Sequence, residues 1–349
     1  MKAGKAKIVK MTEENLDMDA LREAGRILRS GGLVAFPTET VYGLGGNALD
    51  PEASRRIYAA KGRPSDNPLI VHIADLEHLF PLIREFPEDA RKLAERYWPG
   101  PLTMIFQKSD LVPYETTGGL DTVAVRFPDN AIAREMIRQG GGYVAAPSAN
   151  TSGRPSPTLA RHVEEDLGDR IDMIIDGGQV NIGLESTIVD FSEDHPVILR
   201  PGFLNQEMLE DVIGEVTIDP GIMSENMHTR PKAPGMRYKH YAPKANVVLL
   251  KCNDSEYIDY VNEHEGETTA ALCCDEDVES LNVKCFSLGK RSDYSAQAHR
   301  LFDELRKIDE DENIKIVYSR LPSIDGVGMA VYNRLIRAAG FEVIDLEKM

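Results

Sequence analysis

The sequence predicts an α/β fold divided into two domains, and three observations support this. Short apolar segments alternate with segments of helical periodicity along almost the whole chain, which is typical of α/β proteins. The 349 residues exceed the roughly 250 that one hydrophobic core usually serves. Acidic side chains also become denser towards the end: residues 1–244 carry 28 basic and 36 acidic side chains, and residues 245–349 carry 12 and 21.

The first domain is predicted to cover residues 1–214 and to follow an α/β or α+β pattern. Its strands are short segments bounded by Gly, Pro or Asp, at residues 33–36, 69–73, 103–107, 123–127, 143–146, 173–176, 186–190 and 197–199. Its helices show apolar periodicity at residues 18–30, 51–60, 87–97, 130–139, 158–167 and 206–213. Asp50-Pro51 and Ser156-Pro157-Thr158 are predicted helix starts, each with a capping side chain near a proline.

Residues 215–245 are predicted to form a linker between the domains. They have little periodicity, and residues 229–243 contain three prolines and a glycine. An ordinary linker is one interpretation. Tyr238, His240 and Tyr241, beside Arg237 and Lys239, instead favour a segment that covers a ligand, because simple linkers are usually poor in aromatic and histidine side chains.

The second domain, residues 246–349, shows a βαβ-like alternation. Strands are predicted at residues 247–250, 269–274, 283–288, 314–319 and 341–346, and helices at residues 295–308 and 327–339. We expect a small parallel or mixed sheet flanked by helices, similar to a Rossmann domain. The chain contains neither GxGxxG nor GxxxxGK[ST], so no motif predicts nucleotide binding in this domain.

The richest chemistry lies in residues 61–72, KGRPSDNPLIVH. Lys61, Arg63 and Asn67 occupy a Gly/Pro-rich turn that leads into a short apolar strand containing His72. Cationic donors in such a turn suit phosphate or carboxylate, since Arg binds oxyanions with two parallel hydrogen bonds and Lys adds a point charge. A surface turn with solvated charges is the alternative, and His72 alone could be an ordinary core histidine.

Further polar clusters follow other predicted strands, where α/β proteins usually bind ligands. They comprise residues 37–45 with Glu39 and Thr40, Thr122 and Arg126 in residues 122–128, the loop of Ser148, Asn150, Ser152 and Ser156, the Glu185-Ser186-Thr187 turn, and Arg200. Hydroxyls and backbone amides in loops suit phosphate and ribose, although the same residues make plain turns. Arg126 could also extend from an edge strand to solvent, and Glu39 could act as a cap.

Several function classes lack support in the sequence. The net charge of −17 argues against a protein built mainly to coat nucleic acid. All four cysteines follow residue 245 without metal-ligand spacing, so we expect reduced core thiols. The sequence contains no motif for a covalent nucleophile or a zinc site. It also contains no window of about 18 apolar residues that could span a bilayer. The basic N-terminus lacks the apolar region of a secretory signal. We therefore expect a cytoplasmic protein that positions a nucleotide, without membrane contact and without protein metal ligands.

Taken together, these clusters resemble the threonylcarbamoyl-AMP synthase family, in the long form with a YrdC-like catalytic domain and a C-terminal extension. The resemblance begins near residue 15 and runs to the end of the chain. It rests on eight motifs in order: PTETVYGLG (37–45), KGRPSDNPLIVHI (61–73), TVAVRFP (122–128), APSANTSGRPSPT (146–158), LESTIVD (184–190), LRPG (199–202), APGMRYKHYAP (233–243) and GVGMAVYNRLIRAA (326–339).

The resemblance implies a twisted, mostly mixed sheet with helices around a large basic cavity. It also implies a reaction in which L-threonine, bicarbonate and ATP give L-threonylcarbamoyladenylate and pyrophosphate. A partner transferase complex then uses this product to make t6A at position 37 of tRNA, with weak direct tRNA contact as a further expectation. Mg²⁺ is expected to arrive with ATP, held largely by phosphates and water.

The resemblance also assigns roles to residues. Threonine is expected to contact Thr40, His72, Arg126 and Ser186. ATP is expected to contact Lys61, Arg63, Asn67, Thr122, Ser148, Asn150, Ser156, Arg200, Tyr238 and Tyr241, with Lys61 and Arg63 as the catalytic cations.

Two other functions remain weaker alternatives. A carbamoyl-transfer enzyme of hydrogenase maturation would need acylphosphatase-like and zinc-finger regions, for which the chain has neither the cysteines nor the length. An RNA-binding module is disfavoured by the net charge of −17.

Overall fold

The first domain is built on one large sheet. The structure is a computed structural model that describes residues 4–222, Lys232 and residues 240–348. Within them the strands of this domain are β1 (Lys7–Lys10), β2 (Val34–Phe36), β3 (Gly43–Asn47), β4 (Ile70–His72), β5 (Leu102–Gln107), β6 (Thr122–Arg126), β7 (Val144–Ala145), β8 (Met173–Asp176), β9 (Thr187–Asp190), β10 (Val197–Arg200) and β11 (Thr217–Ile218). The helices are α1 (Met18–Arg29), α2 (Pro51–Lys61), α3 (Glu88–Tyr97), α4 (Ala131–Gln139), α5 (Ala160–Leu167) and α6 (Gln206–Ile213).

The strands of this sheet run both parallel and antiparallel. In the described residues their order is β1-β8-β2-β3-β7-β4-β6-β5-β9-β10-β11. Strands β4 and β6 are parallel and place His72 beside Arg126, while β5 runs antiparallel to β6 and places Thr103 on the other side of Arg126. Because paired residues on neighbouring strands share a face, this register brings three polar side chains into one row near the middle of the sheet.

The second domain is a smaller doubly wound unit. Its elements are β12 (Asn246–Lys251), α7 (Asp254–Glu263), β13 (Thr269–Cys273), β14 (Lys284–Ser287), α8 (Tyr294–Glu310), β15 (Ile316–Arg320), α9 (Gly328–Ala338) and β16 (Val343–Asp345). The strands form a parallel sheet in the order β14-β13-β15-β12-β16. This arrangement agrees with the predicted Rossmann-like domain.

An apolar core continues from the second domain into the first. Buried side chains of α8, including Phe302, form one cluster with Tyr241 and with Val41 and Leu184 of the first domain. Val41 belongs to the PTETVYGLG motif, and Leu184 precedes the turn before β9. The second domain therefore packs directly against two of the predicted site motifs.

Most predicted elements are confirmed. The α/β fold class is confirmed, and each predicted helix agrees with the structure to within two residues at either end. Asp50 caps α2, accepting from the backbone N–H of Glu52. The other predicted helix start was wrong: α5 begins at Ala160, its cap position is Leu159, and the Ser156 hydroxyl instead bonds to the Glu185 carboxylate.

Four elements were missed. Strand β1 is a short, exposed edge strand, β3 is rich in glycine, and β11 lies within the segment predicted as linker. Glycine is depleted in strands generally, but a Cβ at Gly45 in β3 would approach Val144 Cγ1 to 2.9 Å. Helix α7 did have a signal, because Asn253 and Glu256 form a capping box at its start.

Candidate active site

A cavity lies where strands β4, β6 and β10 end. Its polar lining includes Arg63, His72, Arg126, Ser148, Ser186 and Arg200. His72, Arg126 and Arg200 are each the last residue of their strand, and such strand ends are the usual ligand position in α/β folds. The sheet therefore gathers motifs that are far apart in the sequence around one space.

Lys61, the last residue of α2, is completely enclosed by protein. Its Nζ donates to the carbonyl oxygens of Ser148 and Asn150, the latter at 2.5 Å, and lies 3.3 Å from Asn150 Oδ1. Burial, reinforced by the nearby Arg63, lowers the pKa of Lys61 well below its usual value. In this conformation the ammonium group fixes the loop that carries Ser148, directly behind the cavity wall.

Arg63 provides a buried cation at the cavity surface. Gly62 ends α2 in the left-handed conformation, with φ of 64°, which is favourable for glycine. The Arg63 guanidinium donates to Asn67 Oδ1 at 2.6 Å and to the Pro68 carbonyl at 3.1 Å. Burial lowers the pKa of Arg63 to about 10, so the group stays protonated at neutral pH.

His72 and Arg126 lie side by side with opposite hydrogen-bonding character. The His72 Nδ1 lies 3.1 Å from the Ile70 carbonyl, which can only accept, so Nε2 remains the acceptor of the neutral ring. Burial, with a smaller effect from Arg126, lowers the pKa of His72 to about 3. Arg126 Nη2 lies 2.8 Å from Glu39 Oε1. The row thus combines a neutral acceptor with a buried ion pair.

Ser186 and Arg200 line the cavity from the side of β9 and β10. Arg200 donates from Nε to the Ser186 carbonyl and from Nη2 to the Ser186 hydroxyl, both at 3.1 Å. The Ser186 hydroxyl also pairs with the Thr103 hydroxyl at 2.7 Å. Burial lowers the pKa of Arg200 to about 10. Arg200 therefore remains a second fixed positive charge facing the same space as Arg63.

Glu185 connects this wall to the second domain. Its Oε1 accepts from the Ser156 hydroxyl at 2.5 Å, and its Oε2 accepts from Arg334 Nε at 3.0 Å. Burial alone raises the pKa of Glu185, but the charges of Arg334 and Arg200 outweigh burial and lower the pKa to about 2. Arg334 is completely buried in α9, so a cation of the second domain neutralises a carboxylate of the cavity.

His240 and Tyr241 close the cavity from the segment between the domains. Their rings meet edge to face with centroids 4.2 Å apart, and the Tyr241 ring lies 5.2 Å from the Phe302 ring. Tyr241 has a positive φ of 65°, which is uncommon for a residue with a side chain. Burial, with a smaller effect from Arg63, lowers the pKa of His240 to about 3, so this ring is also neutral at physiological pH.

The structure brings most of the predicted site residues together in two layers. The cavity itself is lined by Arg63, His72, Arg126, Ser148, Ser186, Arg200 and Tyr241. Behind it, each hydrogen-bonded to a lining residue, lie Thr40, Lys61, Asn67, Asn150 and Ser156. Thr122 begins β6, at the opposite end of that strand from Arg126. Tyr238 lies outside the described residues.

Four residues that shape the site were assigned no ligand contact from the sequence: Glu39, Glu185, His240 and Arg334. Of these, His240 was predicted only as part of the covering segment, and Glu39 and Glu185 were named only as members of polar clusters. Glu39 and Glu185 occur in motifs chosen for their hydroxyls and adjoin the predicted Thr40 and Ser186. A carboxylate beside each predicted contact was a usable signal. Arg334 also had one, because it falls within the GVGMAVYNRLIRAA motif of the predicted helix at residues 327–339.

Three further features concern metal ligands, cysteine thiols and membrane-spanning helices. The described part of the chain contains no group of three or more His, Cys, Asp or Glu side chains able to hold a metal ion. The four cysteines are free thiols as predicted, but only Cys273 is buried and the others are half-buried. Over the same described ranges, every helix is too short or too polar to cross a bilayer.

The arrangement suits a polyanionic ligand together with a small polar one. Buried arginines at fixed positions act as preorganised positive charges, and a water-poor surrounding strengthens them. Neutral His72 and the hydroxyl of Ser186 add short-range acceptors and donors beside Arg126. These groups can bind, orient and neutralise charge, which is the main protein contribution in transfer at phosphorus.

Comparisons with known proteins agree with this geometry. A family model described as telomere recombination matches residues 26–202, and one described as the C-terminal domain of threonylcarbamoyl-AMP synthase matches residues 204–340. The chain is 45% identical to threonylcarbamoyl-AMP synthase of Pyrococcus abyssi over 344 residues, covering 97% of this chain and 99% of the relative. The Bacillus subtilis enzyme of the same name is 44% identical, with 93% and 94% covered.

A solved structure gives the same relationship in three dimensions. The crystal structure of the P. abyssi Sua5 protein complexed with L-threonine superposes with a TM-score of 0.91 and 44% sequence identity. The match covers 98% of this chain and 100% of that one, so it includes both domains.

Proposed function

The chain belongs to the threonylcarbamoyl-AMP synthase family, and we propose that it condenses L-threonine, bicarbonate and ATP into L-threonylcarbamoyladenylate and pyrophosphate. The observation that carries this proposal is the 45% identity to a named synthase over 97% of the chain. The buried arginines of the cavity supply the positive charge that this substrate set requires. The enzyme is accordingly a nucleotidyltransferase of tRNA modification.

We propose that threonine is bound by Thr40, His72, Arg126 and Ser186. Three of these residues meet at the ends of β4 and β6 and at the turn before β9, and Thr40 lies directly behind Thr38. Arg126 can bind the substrate carboxylate, since guanidinium and carboxylate pair through parallel hydrogen bonds. Neutral His72 can accept a hydrogen bond from the substrate hydroxyl or amine.

The nucleotide is assigned to the part of the cavity lined by Arg63 and Arg200 and to the loops around it. The residues proposed to contact ATP are Lys61, Arg63, Asn67, Thr122, Ser148, Asn150, Ser156, Arg200, Tyr238 and Tyr241. Arg63 and Arg200 support this assignment best, because both are buried cations that line the cavity. Lys61 would act through the Ser148 loop in the present conformation, and would face phosphate only after releasing the loop carbonyls.

The chemistry proposed for this cavity needs no protein nucleophile. Bicarbonate takes up a proton and loses water to give CO₂, and the neutral threonine amine captures this CO₂ with loss of a proton and becomes a carbamate. A carbamate oxygen then attacks the α-phosphorus of ATP in line, and the bond to pyrophosphate breaks. Arg63 and Lys61 stabilise the charge on the phosphates and on the departing pyrophosphate. Tyr241 and His240 exclude water that would hydrolyse the carbamate and the adenylate.

Mg²⁺ is proposed to enter with ATP, held by phosphate oxygens and water. Glu39 and Glu185, two carboxylates at this site, lie beside Arg126 and Arg334. The positive charges of Arg126 and Arg334 disfavour a divalent cation at these carboxylates, which are therefore poor candidates for metal ligands. This is consistent with Mg²⁺ sites in which the substrate phosphates provide the main ligands.

The wider setting of the reaction is also proposed. The adenylate would be consumed by a tRNA threonylcarbamoyl transferase complex, in the cytoplasm, where its tRNA substrate is found. Weak direct contact with tRNA is a further proposal. Its test is whether added tRNA changes the rate of adenylate formation or is retained by the purified protein.

We propose domain limits at residues 1–214 and 246–349, with residues 215–245 as the segment that covers the site. The second domain is proposed to brace this segment. Tyr241 and His240 of this segment support the proposal, because the Tyr241 ring lies 5.2 Å from the Phe302 ring of α8 and the His240 N–H donates to the Arg337 carbonyl of α9 at 3.4 Å. Bracing from α8 and α9 would hold the cavity in its closed shape.

The decisive experiment is an assay of pyrophosphate release from ATP by the purified chain. Release should require threonine and bicarbonate together, and mass spectrometry should detect the mixed anhydride. Controls omit threonine, bicarbonate or Mg²⁺ in turn. Pyrophosphate release that is independent of threonine, or a reaction without adenylate product, would contradict the proposed function.

A further inference from the structure

Glu39 is a buried carboxylate whose hydrogen-bonding capacity is unused. Its backbone is fixed, because its carbonyl accepts from Ile182 N–H at 2.9 Å and the next carbonyl accepts from Gly183 N–H at 3.1 Å. Its side chain is 9% exposed. Neither carboxylate oxygen has a hydrogen-bond partner within the residues that the structure describes. A carboxylate in this state strongly favours a donor that comes from outside the protein.

Arg126 only partly compensates this carboxylate. Its Nη2 lies 2.8 Å from Glu39 Oε1, yet the alignment is not that of a hydrogen bond, and in the described structure Arg126 Nε and Nη2 also lack hydrogen-bond partners. The two opposite charges attract each other, but both side chains still have hydrogen-bonding atoms without a partner in the described residues. Because Arg126 lines the cavity, the pair lies at the edge of the space assigned to the amino acid.

Glu185 shows what a purely structural carboxylate looks like in the same protein. Both of its oxygens are bonded, one to the Ser156 hydroxyl at 2.5 Å and the other to Arg334 Nε at 3.0 Å. Glu185 lines the cavity and Glu39 lies against Arg126, which also lines it, but within the described residues only Glu185 of the two has both carboxylate oxygens bonded. The contrast indicates that Glu39 is kept open for a ligand, whereas Glu185 holds the wall together.

We propose that Glu39 binds the α-ammonium group of the amino-acid substrate while Arg126 binds its carboxylate. The proposal rests on the proposed function only in taking an amino acid as substrate. With Glu39 beside it, Arg126 is part of a neutral pair and attracts a simple carboxylate weakly. A zwitterion complements both members of the pair, so the pair selects α-amino acids over acids that lack the amine.

The same pair has a consequence once the amine has reacted. The ammonium group first loses a proton, and the neutral amine then captures CO₂ and loses a second proton, which leaves a negative carbamate on the same nitrogen. One of the two protons is used to convert bicarbonate into CO₂ and water, and the other passes to solvent. The carbamate is repelled by Glu39 and attracted by Arg63 and Arg200, which face the cavity from the nucleotide side. Glu39 therefore holds the unreacted substrate and directs the carbamate towards the phosphates.

The test measures binding without ATP, by isothermal titration calorimetry with two ligands. One is L-threonine, and the other is (R)-3-hydroxybutanoate, which is threonine without its amine. Wild-type protein should prefer threonine clearly. In Glu39→Gln this preference should fall by about tenfold or more, because a charge-assisted hydrogen bond to the ammonium group is lost. The deaminated ligand should bind Glu39→Gln at least as well as wild type, since Arg126 is then uncompensated.

Glu77→Gln, the same exchange at an exposed position, is the matched control and should leave both affinities unchanged. An equal loss of both ligands in Glu39→Gln, or an unchanged preference for threonine, overturns the proposal. If Glu39→Gln does not fold, the wild-type comparison still decides: equal affinity for both ligands contradicts a role for the ammonium group. The titrations contain no ATP, so they test amino-acid binding independently of the reaction. If threonine binds as proposed but the protein forms no adenylate, only the proposed reaction is overturned.

Discussion

Arg334 in α9 donates a 3.0 Å hydrogen bond from Nε to Glu185 Oε2, although the two residues are 149 positions apart. Its Nη1 also donates to the Pro201 carbonyl at 2.6 Å. One side chain of the second domain thus holds the turn before β9 and the turn after β10. Because Ser186 belongs to the first turn and Arg200 directly precedes the second, the second domain contributes to the geometry of the catalytic domain.

Removing this clamp should damage both stability and catalysis. Arg334→Ala leaves the Glu185 carboxylate buried without its cation, which should lower the free energy of unfolding by about 3–5 kcal/mol. Displacement of Arg200 should lower adenylate formation on the order of a hundredfold. Urea unfolding and steady-state kinetics with varied ATP measure the two effects.

The coupling between the partners can be isolated with a double-mutant cycle. Arg300→Ala removes a half-exposed arginine of the second domain and serves as the control. The stability losses of Arg334→Ala and Glu185→Gln should be clearly less than additive, because each removes the same interaction. Strict additivity would show that Arg334 supports the fold independently of Glu185.

His72 should make the protein sensitive to mild acid. Its pKa is about 3 in the folded protein against 6.5 for an ordinary histidine, chiefly because of burial. Between these values the unfolded chain binds a proton that the folded chain does not. The free energy of unfolding should therefore fall as the pH decreases from 6.5 towards 3, by up to about 1.4 kcal/mol per pH unit for this residue.

Urea unfolding at pH 7.5 and pH 5.0 measures this dependence. His72→Gln should unfold with a smaller difference between the two pH values than wild type. His264→Gln, at an exposed position, provides the control. The pKa of His240 is also lowered to about 3, and burial lowers the pKa of His162 as well, so part of the dependence should persist in His72→Gln and should decrease further when His240 is also replaced by Gln. An unchanged dependence in the double variant would refute this explanation.

The sequence predicted the elements and the motif clusters well because both depend on local signals. Apolar periodicity located the helices, and strand ends rich in hydroxyls and cations located the cavity. Strand β3 was missed because its glycines serve close packing against Val144, which only the tertiary structure shows. Ser156 was assigned to a helix start because a serine before Pro-Thr usually caps, whereas here Glu185 competes successfully for its hydroxyl.

The roles of individual charges were harder to predict. Lys61 is attractive as a phosphate ligand in the sequence, but the structure shows its ammonium group bonded to loop carbonyls. Glu39 lacks hydrogen bonds and Glu185 has them, yet both are glutamates next to a hydroxyl residue. Such differences depend on partners distant in sequence, which one sequence alone does not reveal.

Packing between α1 and α4 should depend on Gly25. A Cβ at this position would lie 2.3 Å from the carbonyl oxygen of Gln139, a backbone atom that cannot rotate away. Gly25→Ala should therefore lower the free energy of unfolding by about 1–3 kcal/mol despite the better helix propensity of alanine. Gly4→Ala, where a Cβ would meet nothing within 4 Å, is the matched control. Equal stability of the two variants in urea would contradict this packing.

Lys61 should matter for turnover far more than for threonine binding. Lys61→Ala removes a cation proposed to stabilise the phosphates, and it also releases the carbonyls of Ser148 and Asn150. We expect kcat to fall by at least about a hundredfold, the usual effect of losing one preorganised charge donor. Threonine affinity, measured calorimetrically without ATP, should change little, because His72, Arg126 and Ser186 remain in place. Lys61→Arg keeps the positive charge but changes the shape of the side chain. Partial activity of this variant would show that the charge contributes to turnover separately from the hydrogen bonds that anchor the Ser148 loop. Equal losses in turnover and threonine binding for Lys61→Ala would assign Lys61 to the architecture of the cavity instead of to phosphate chemistry.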